Sequence, residues 1–448
     1  MLRLSATLLL ATTLSSNNIN YNEKLQTIES RFPLLWKTKV GNISFRSNII
    51  FNKDKLIVPS NGERYMDYNL YDKSSGIYIL NRKNGKVETR FGAECIGDMD
   101  VTGILEYNQK LYYGNDNDEF FCSTLQGKTI WRNPTSGDIE HEPVIINTKA
   151  QNEIVYATES GEVRAVNPDN GKTIWVYYTP DFNSWKPGDN RTVFKVKAYF
   201  SNTTSFFTKP ELIDLNDDGV DDLVYLTYDS KIYSIDGKTG KLLWCYSNSS
   251  NSERFNMPYK INNQIVIPVY GFRYQNNTYE KIEIKLNKYG KVIEEKVETS
   301  DEGISLNYIC TKQFGKIYGC RNTLYLIDDK GNQSKINTLF DGKRKSYFND
   351  DSEVITRKYY DPILSNRIFD YQNEKNCVIV LSQRDMIDYD KGFIEIVSLD
   401  KKSVIERLSL PAISEMTPII SDVNQDGNLD LLINCSDGYL YCFSLNNK

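Results

Sequence analysis

The sequence is poor in the groups from which most catalytic and metal sites are built. It has one histidine, His141, in 448 residues, and its eight cysteines (Cys95, Cys122, Cys245, Cys310, Cys320, Cys377, Cys435, Cys442) form no CxxC pair. Cys/His zinc sites are therefore close to excluded. A Ser/His/Asp apparatus would have to use His141, which sits in DIEHEPVII just ahead of a β run and reads as a blade-edge residue. No P-loop occurs, and no GxGxxG opens a helix. Beyond a short N-terminal run, no apolar stretch approaches the ~18 residues of a membrane helix, and mean hydropathy is −0.50. A net excess of positive charge is also lacking: a net charge of −5 and a pI near 5.4 leave no electrostatic footprint for nucleic acid. Helical periodicity is almost absent.

The N-terminus reads as an export signal. Arg3 precedes LSATLLLATTLSS, a short apolar run ending in small residues, and polar NNINYNEK follows. This predicts a signal peptide over about residues 1–17, a lead over 18–32, and one domain from 33 to 448. No Cys precedes Cys95, so the pattern does not support a lipoprotein anchor. Export would permit disulfides, and Cys435 and Cys442 flank the SDG turn of one hairpin at diagonal positions on one face. Buried, unpaired strand cysteines are the alternative and the expected one. Asn42, Asn202, Asn248, Asn276, Asn332 and Asn434 begin sequons, which matter only in a eukaryotic source.

What is abundant is repetition. DLNDDGVDDLVYL, from Asp214, returns 208 residues later as DVNQDGNLDLLIN, from Asp422. After the first comes TYDSKIYSIDGKTGKLLWCY: a polar turn, a β run, a Gly-containing turn, and a strand carrying Trp. EPVIINTKAQNEIVYATESGEVRAVNPDNGKTIWVYY has the same plan without the acidic loop. Degenerate copies fill the rest of the chain, making eight units of about 50 residues. Short β-branched strands at 8–12-residue spacing with Gly/Asn/Asp turns predict an all-β fold, and the period predicts a propeller. Its blades should be four-stranded and antiparallel. The C-terminal copy stops at SLNNK, whereas its siblings continue into KLLWCY or KTIWVY. The missing strand is found in FPLLWKTKV, Phe32 to Val40, which should complete the last blade and close the ring. The acidic loops then lie four blades apart.

The DGKTGKLLW and NPDNGKTIW segments resemble the PQQ-like (quinoprotein-type) eight-bladed propeller repeat, and the two DxNxDGxxD loops resemble FG-GAP/VCBS calcium loops. Calcium is the cofactor this implies. Oxygen donors at loop positions 1, 3, 5 and 9, a carbonyl at 7 and Gly at 6 suit a hard divalent cation. These are Asp214, Asn216, Asp218, the Val220 carbonyl and Asp222, then Asp422, Asn424, Asp426, the Asn428 carbonyl and Asp430. The twelfth positions, Tyr225 and Ile433, carry no EF-hand Glu. Blades without acidic residues manage the same turn, so a structural role for the ion is expected and catalysis by the carboxylates is not; a solvated Asx-type turn without an ion is the alternative. Quinoprotein dehydrogenases carry an adjacent Cys-Cys pair at their cofactor; none exists here, so PQQ is not expected.

Five insertions fall on the rim opposite the acidic loops: residues 62–75, 179–206 (with Trp185), 271–279, 341–359 and 383–391. Binding residues gather on loops held by rigid scaffolds, and the Tyr, Phe, Trp and Arg of these segments suit a protein or glycan ligand. The expectation is an exported, non-catalytic propeller that binds a protein or glycan partner, with neither nucleic acid nor an integral membrane segment. The similar Bam-complex lipoprotein propeller is a scaffold of this kind. The alternative is a secreted carbohydrate-active enzyme like the calcium-dependent polysaccharide lyase propellers.

Overall fold

The computed structural model describes residues 32–44, 46–62, 74–92, 100–180, 182, 206, 208–227, 231–247, 253–255, 258–261, 264–273, 278–299, 308–320, 323–328, 332–337, 363–383 and 392–446. Their regular structure is entirely β, in eight antiparallel sheets. Taken in chain order, blades 1 to 7 span residues 50–91, 104–134, 144–178, 211–247, 253–299, 308–337 and 363–410. Each runs inner, second, third and outer strand in sequence. In blades 5 and 7 the inner strand is split into two segments, both paired to the second strand. In blade 5 the break contains Pro258, which has no N–H to give a ladder. No helix among the described residues is long and apolar enough to cross a membrane.

Blade 8 is completed as the repeats require. Its strands Ile419–Ser421, Asp430–Asn434 and Tyr439–Ser444 are joined by Leu34–Lys39, antiparallel to the last of them. Trp36 lies opposite Cys442, and Thr38 opposite Leu440. Pro33 O accepts from Ser444 N at one end (2.9 Å), and Val40 N donates to Gly438 O at the other (3.0 Å).

The burial of the strands shows why the sequence repeats as it does. Second and third strands are buried almost throughout, as in Asp222–Leu226 and Gly392–Ser398, because blades cover both of their faces. The outer strands of blades 3 and 8 are largely exposed; Thr173–Tyr178 buries only Trp175, and Leu34–Lys39 only Trp36. These tryptophans fasten one blade to the next. The Trp131 ring of blade 2 covers Gly171 in the third-to-outer turn of blade 3, and Trp244 of blade 4 covers Gly290 of blade 5. Indole N–H groups then donate to turn carbonyls: Trp131 to Pro168 O (3.1 Å) and Trp244 to Lys288 O (2.9 Å). Trp175 lies on Gly240 and Trp36 on Gly85 in the same manner, and Trp36 donates to Arg82 O (3.1 Å). Gly171 and Gly290 have φ of 69° and 71°, and a Cβ there would meet the indole at 2.7 and 2.6 Å. Glycine is thus fixed by conformation and by close approach.

Apolar clusters bridge blades 1–2, 2–3, 3–4, 4–5, 6–7, 7–8 and 8–1 among the described residues. Single asparagines stitch the inner ends. Asn48 bonds both ways to the Ile104 backbone (2.7 and 2.9 Å), and Asn366 Oδ1 accepts from Ile420 N (2.8 Å). Asn434, one of the sequon positions, is buried; it accepts from Ile43 N and donates to Gly41 O (both 2.9 Å), which commits it to the closure.

Candidate functional site

Both acidic loops join an inner strand to a second strand: Glu211–Ile213 to Asp222–Leu226 in blade 4, and Ile419–Ser421 to Asp430–Asn434 in blade 8. They therefore share a rim and lie four blades apart. The first carboxylate of each closes the turn. Asp214 accepts from Asp218 N (3.2 Å) and Gly219 N (2.9 Å); Asp422 accepts from Asp426 N (3.0 Å) and Gly427 N (3.1 Å). Asn216 Oδ1 also accepts from Asp218 N, and Asn424 Oδ1 from Asp426 N, 3.0 Å each. Asp218 accepts from Val220 N (2.9 Å) and Asp426 from Asn428 N (2.8 Å). The ninth residues, Asp222 and Asp430, are buried strand residues turned back into their loops. Burial, reinforced by neighbouring Asp side chains, raises both to about 6 despite opposing backbone N–H bonds. The ten sequence-predicted positions thus fall into two compact five-residue sets. Among the described residues, no three acidic, imidazole or thiol side chains stand close enough to hold an ion as placed; hydrogen bonds set the loop shape.

These loops also touch the following blade. Lys288 of blade 5 pairs with Asp217. Arg82 of blade 1 donates to Asp422 O (2.6 Å), Val423 O (2.9 Å) and Lys53 O (2.8 Å), and Gln425 also donates to Lys53 O (3.0 Å).

The opposite rim carries the second-to-third turns and the interblade connectors. Of its five insertions, residues 63–73, 183–205 (with Trp185), 274–277, 341–359 and 384–391 lie outside the described residues. Residues 271–273 and 278–279 prolong the strands Gln264–Arg273 and Thr278–Leu286, so that insertion lengthens a hairpin. Among the described residues of this rim, connectors bond to turns: Val101 N donates to Ser60 O (3.2 Å), and Glu159 N donates to Asp138 O (2.9 Å). Sequence reasoning missed the charge gathered here. Arg46 pairs with Glu140 (2.7 Å), and burial together with Glu140 and Asp138 pushes Glu159 well above the usual carboxylate range. The available signal was positional, since Asp138, Glu140 and Glu159 all sit in connectors or turns of the repeat.

His141 lies in the connector just ahead of the strand Val144–Asn147, and it is buried. Its Nδ1 lies 2.9 Å from Glu142 O, its ring is 5.8 Å from that of Tyr225, and Nε2 has no hydrogen-bond partner. Desolvation pushes it down to about 4, so it is neutral near pH 7. Cys435 and Cys442 are both free thiols and buried.

Comparison with known proteins gives the family. The model described as outer membrane protein assembly factor BamB, a PQQ-type repeat family, matches residues 34–191 and 80–262, together more than half of the chain. The chain belongs to this family. The BamB of Shewanella oneidensis is 22% identical over 213 residues, covering 41% of this chain and 53% of the relative, so the chain spans about half the length of the curated relative it matches. Among solved structures, Saccharomyces cerevisiae Sqt1 aligns over 92% of this chain and 99% of its own (TM-score 0.57, 11% identity). The Dos1 propeller aligns over 94% and 97% (TM-score 0.56, 11% identity). At such identities these two likenesses concern the fold alone. Membership of the BamB family places the PQQ-like repeat of DGKTGKLLW and NPDNGKTIW on firm ground, and the Trp-to-Gly docking is what that repeat encodes.

Proposed function

We propose that this protein is an exported, non-catalytic propeller that binds a protein partner through the connector-bearing rim, with calcium as a structural brace in its acidic loops. The carrying observation is the BamB-family match, whose description is that of an assembly factor. Export is supported by the Arg3–LSATLLLATTLSS pattern. A non-catalytic role is supported by the one imidazole, which is buried with Nδ1 committed to Glu142 O. For calcium, the support is the oxygen spacing of the loops and the Oδ1 of Asp430, fully buried and without a hydrogen-bond partner. A bound cation would satisfy such an oxygen. Asp214, Asn216, Asp218, the Val220 carbonyl and Asp222 form one donor set; Asp422, Asn424, Asp426, the Asn428 carbonyl and Asp430 form the other.

The test is affinity capture from the native envelope or secretome with two baits: the full chain, and a variant whose residues 63–73 are replaced by a short turn. The expected result is one protein retained by the first and lost from the second. Calcium-dependent turnover of a polyuronide, abolished by a single change on the connector rim, would replace this reading with a carbohydrate-active enzyme.

A further inference from the structure

The two acidic loops share a sequence pattern but not a wiring. In blade 4 both oxygens of Asp222 are used: Oδ2 accepts from Leu215 N (2.8 Å) and Oδ1 from Gly237 N (3.0 Å). Gly237 belongs to the third-to-outer turn of the same blade. In blade 8 the position equivalent to Gly237 is Leu445, whose N–H donates instead to Leu429 O (3.0 Å). Asp430 Oδ2 keeps its contacts with Val423 N (2.9 Å) and Asn424 N (3.3 Å), but Oδ1 is left without a partner. Asp430 is 0% exposed, so water does not reach that oxygen.

Lysines also crowd the first loop. Lys288 pairs with Asp217, and Lys238 Nζ stands 3.5 Å from Asp218 Oδ2. Lys149 lies so close that a Cβ on Gly219 would meet its Nζ at 2.8 Å; Gly427 in the second loop has nothing within 4 Å of that point. A divalent cation entering the first loop would displace or oppose these ammonium groups and find the ninth carboxylate already spent. In the second loop the Asp430 carboxylate keeps one oxygen buried and unpaired, which is costly unless a ligand compensates it.

We infer that calcium binds at one loop only, Asp422–Asp430, and that this ion locks the joint where the ring closes. The loop is continuous with that joint: its Asp422 and Val423 carbonyls hold Arg82 of blade 1, and Asp430 begins the strand paired with Tyr439–Ser444, to which Leu34–Lys39 is added. The inference rests on the calcium reading above and narrows it to one place and one task.

Calorimetric titration of the chelator-stripped full chain with calcium chloride tests it. One ion per chain is expected, retained in Asp218→Asn and lost in Asp430→Asn and in the exposed-site variant Asp426→Asn. Amide exchange should slow on calcium addition in residues 34–39 and 439–444, and not in 222–226. Two ions, or loss of binding in Asp218→Asn, would overturn the single-site inference and leave structural calcium standing. No binding in the wild-type chain would overturn both, with the partner-binding proposal untouched. Binding without slower exchange across residues 34–39 would remove the locking role.

Discussion

At the residue scale, His141 shows how little a side chain's chemistry says until its surroundings are known. As the one imidazole in the sequence it is the natural candidate base, yet it is enclosed beside Tyr225 with one nitrogen engaged by a carbonyl. Its environment disfavours the charged form, giving a folded value of about 4 against about 6.5 for an exposed imidazole. The unfolded chain therefore binds the extra proton first as pH falls. Stability is fully present above pH ~6.5 and is lost progressively down to about 4, at a total cost on the order of 3 kcal/mol. His141→Gln should flatten that part of the profile, measured as the difference between wild-type and variant denaturant midpoints from pH 7 to 4. Glu159, Asp222 and Asp430, with raised values, act in the opposite sense and remain in both proteins, so the difference isolates His141. Equal slopes in the two proteins would mean that the imidazole titrates as if exposed.

At the element scale, the outer strand and the turn before it form a lock with two halves in different blades. The regularity was legible in the sequence because four joints repeat one pair: a glycine in the third-to-outer turn and a tryptophan in the outer strand of the preceding blade; between blades 1 and 2, Phe91 takes the tryptophan's place over Gly127. The acidic loops were equally legible, since their spacing is local. The asparagines at the inner joints were not. Asn48, Asn366 and Asn434 stand at unlike places in their repeats, and each bonds to backbone at least 50 residues away. The same holds for Arg46 and Glu140, 94 residues apart in the chain. Gly171→Ala tests the lock. An L-residue at φ 69° costs ~1–2 kcal/mol, and the added methyl meets the Trp131 ring at 2.7 Å. A loss of about 2–4 kcal/mol in unfolding free energy is expected, together with a change in Trp131 fluorescence. Trp131→Phe, which keeps an aromatic face but gives up the bond to Pro168 O, should cost less, about 1–2 kcal/mol. A neutral Gly171→Ala would mean that the indole does not fasten blade 2 to blade 3.

At the scale of the whole molecule, closure is the property on which the other features depend. Blade 8 takes its fourth strand from the other end of the chain, so the ring is shut by contacts separated by roughly 400 residues. Pairing along Leu34–Lys39 covers the edge of Tyr439–Ser444, and Trp36 at once fills the joint to blade 1 on Gly85. An uncovered edge of alternating aromatics (Tyr439, Tyr441, Phe443) is a template for another strand. A chain beginning after Val40 should therefore lose at least about 3 kcal/mol, from a buried tryptophan and a strand's worth of backbone bonds, and should self-associate. One beginning at Phe32 should unfold like the full domain. A peptide of residues 32–40 added to the shortened chain is expected to restore monomeric behaviour by strand addition, and the same peptide with Trp36→Ala to do so much less well. Size-exclusion chromatography and denaturant melts on these proteins decide the matter: if the shortened chain is monomeric and as stable as the longer one, the wheel is held by its apolar joints and the terminal strand is dispensable.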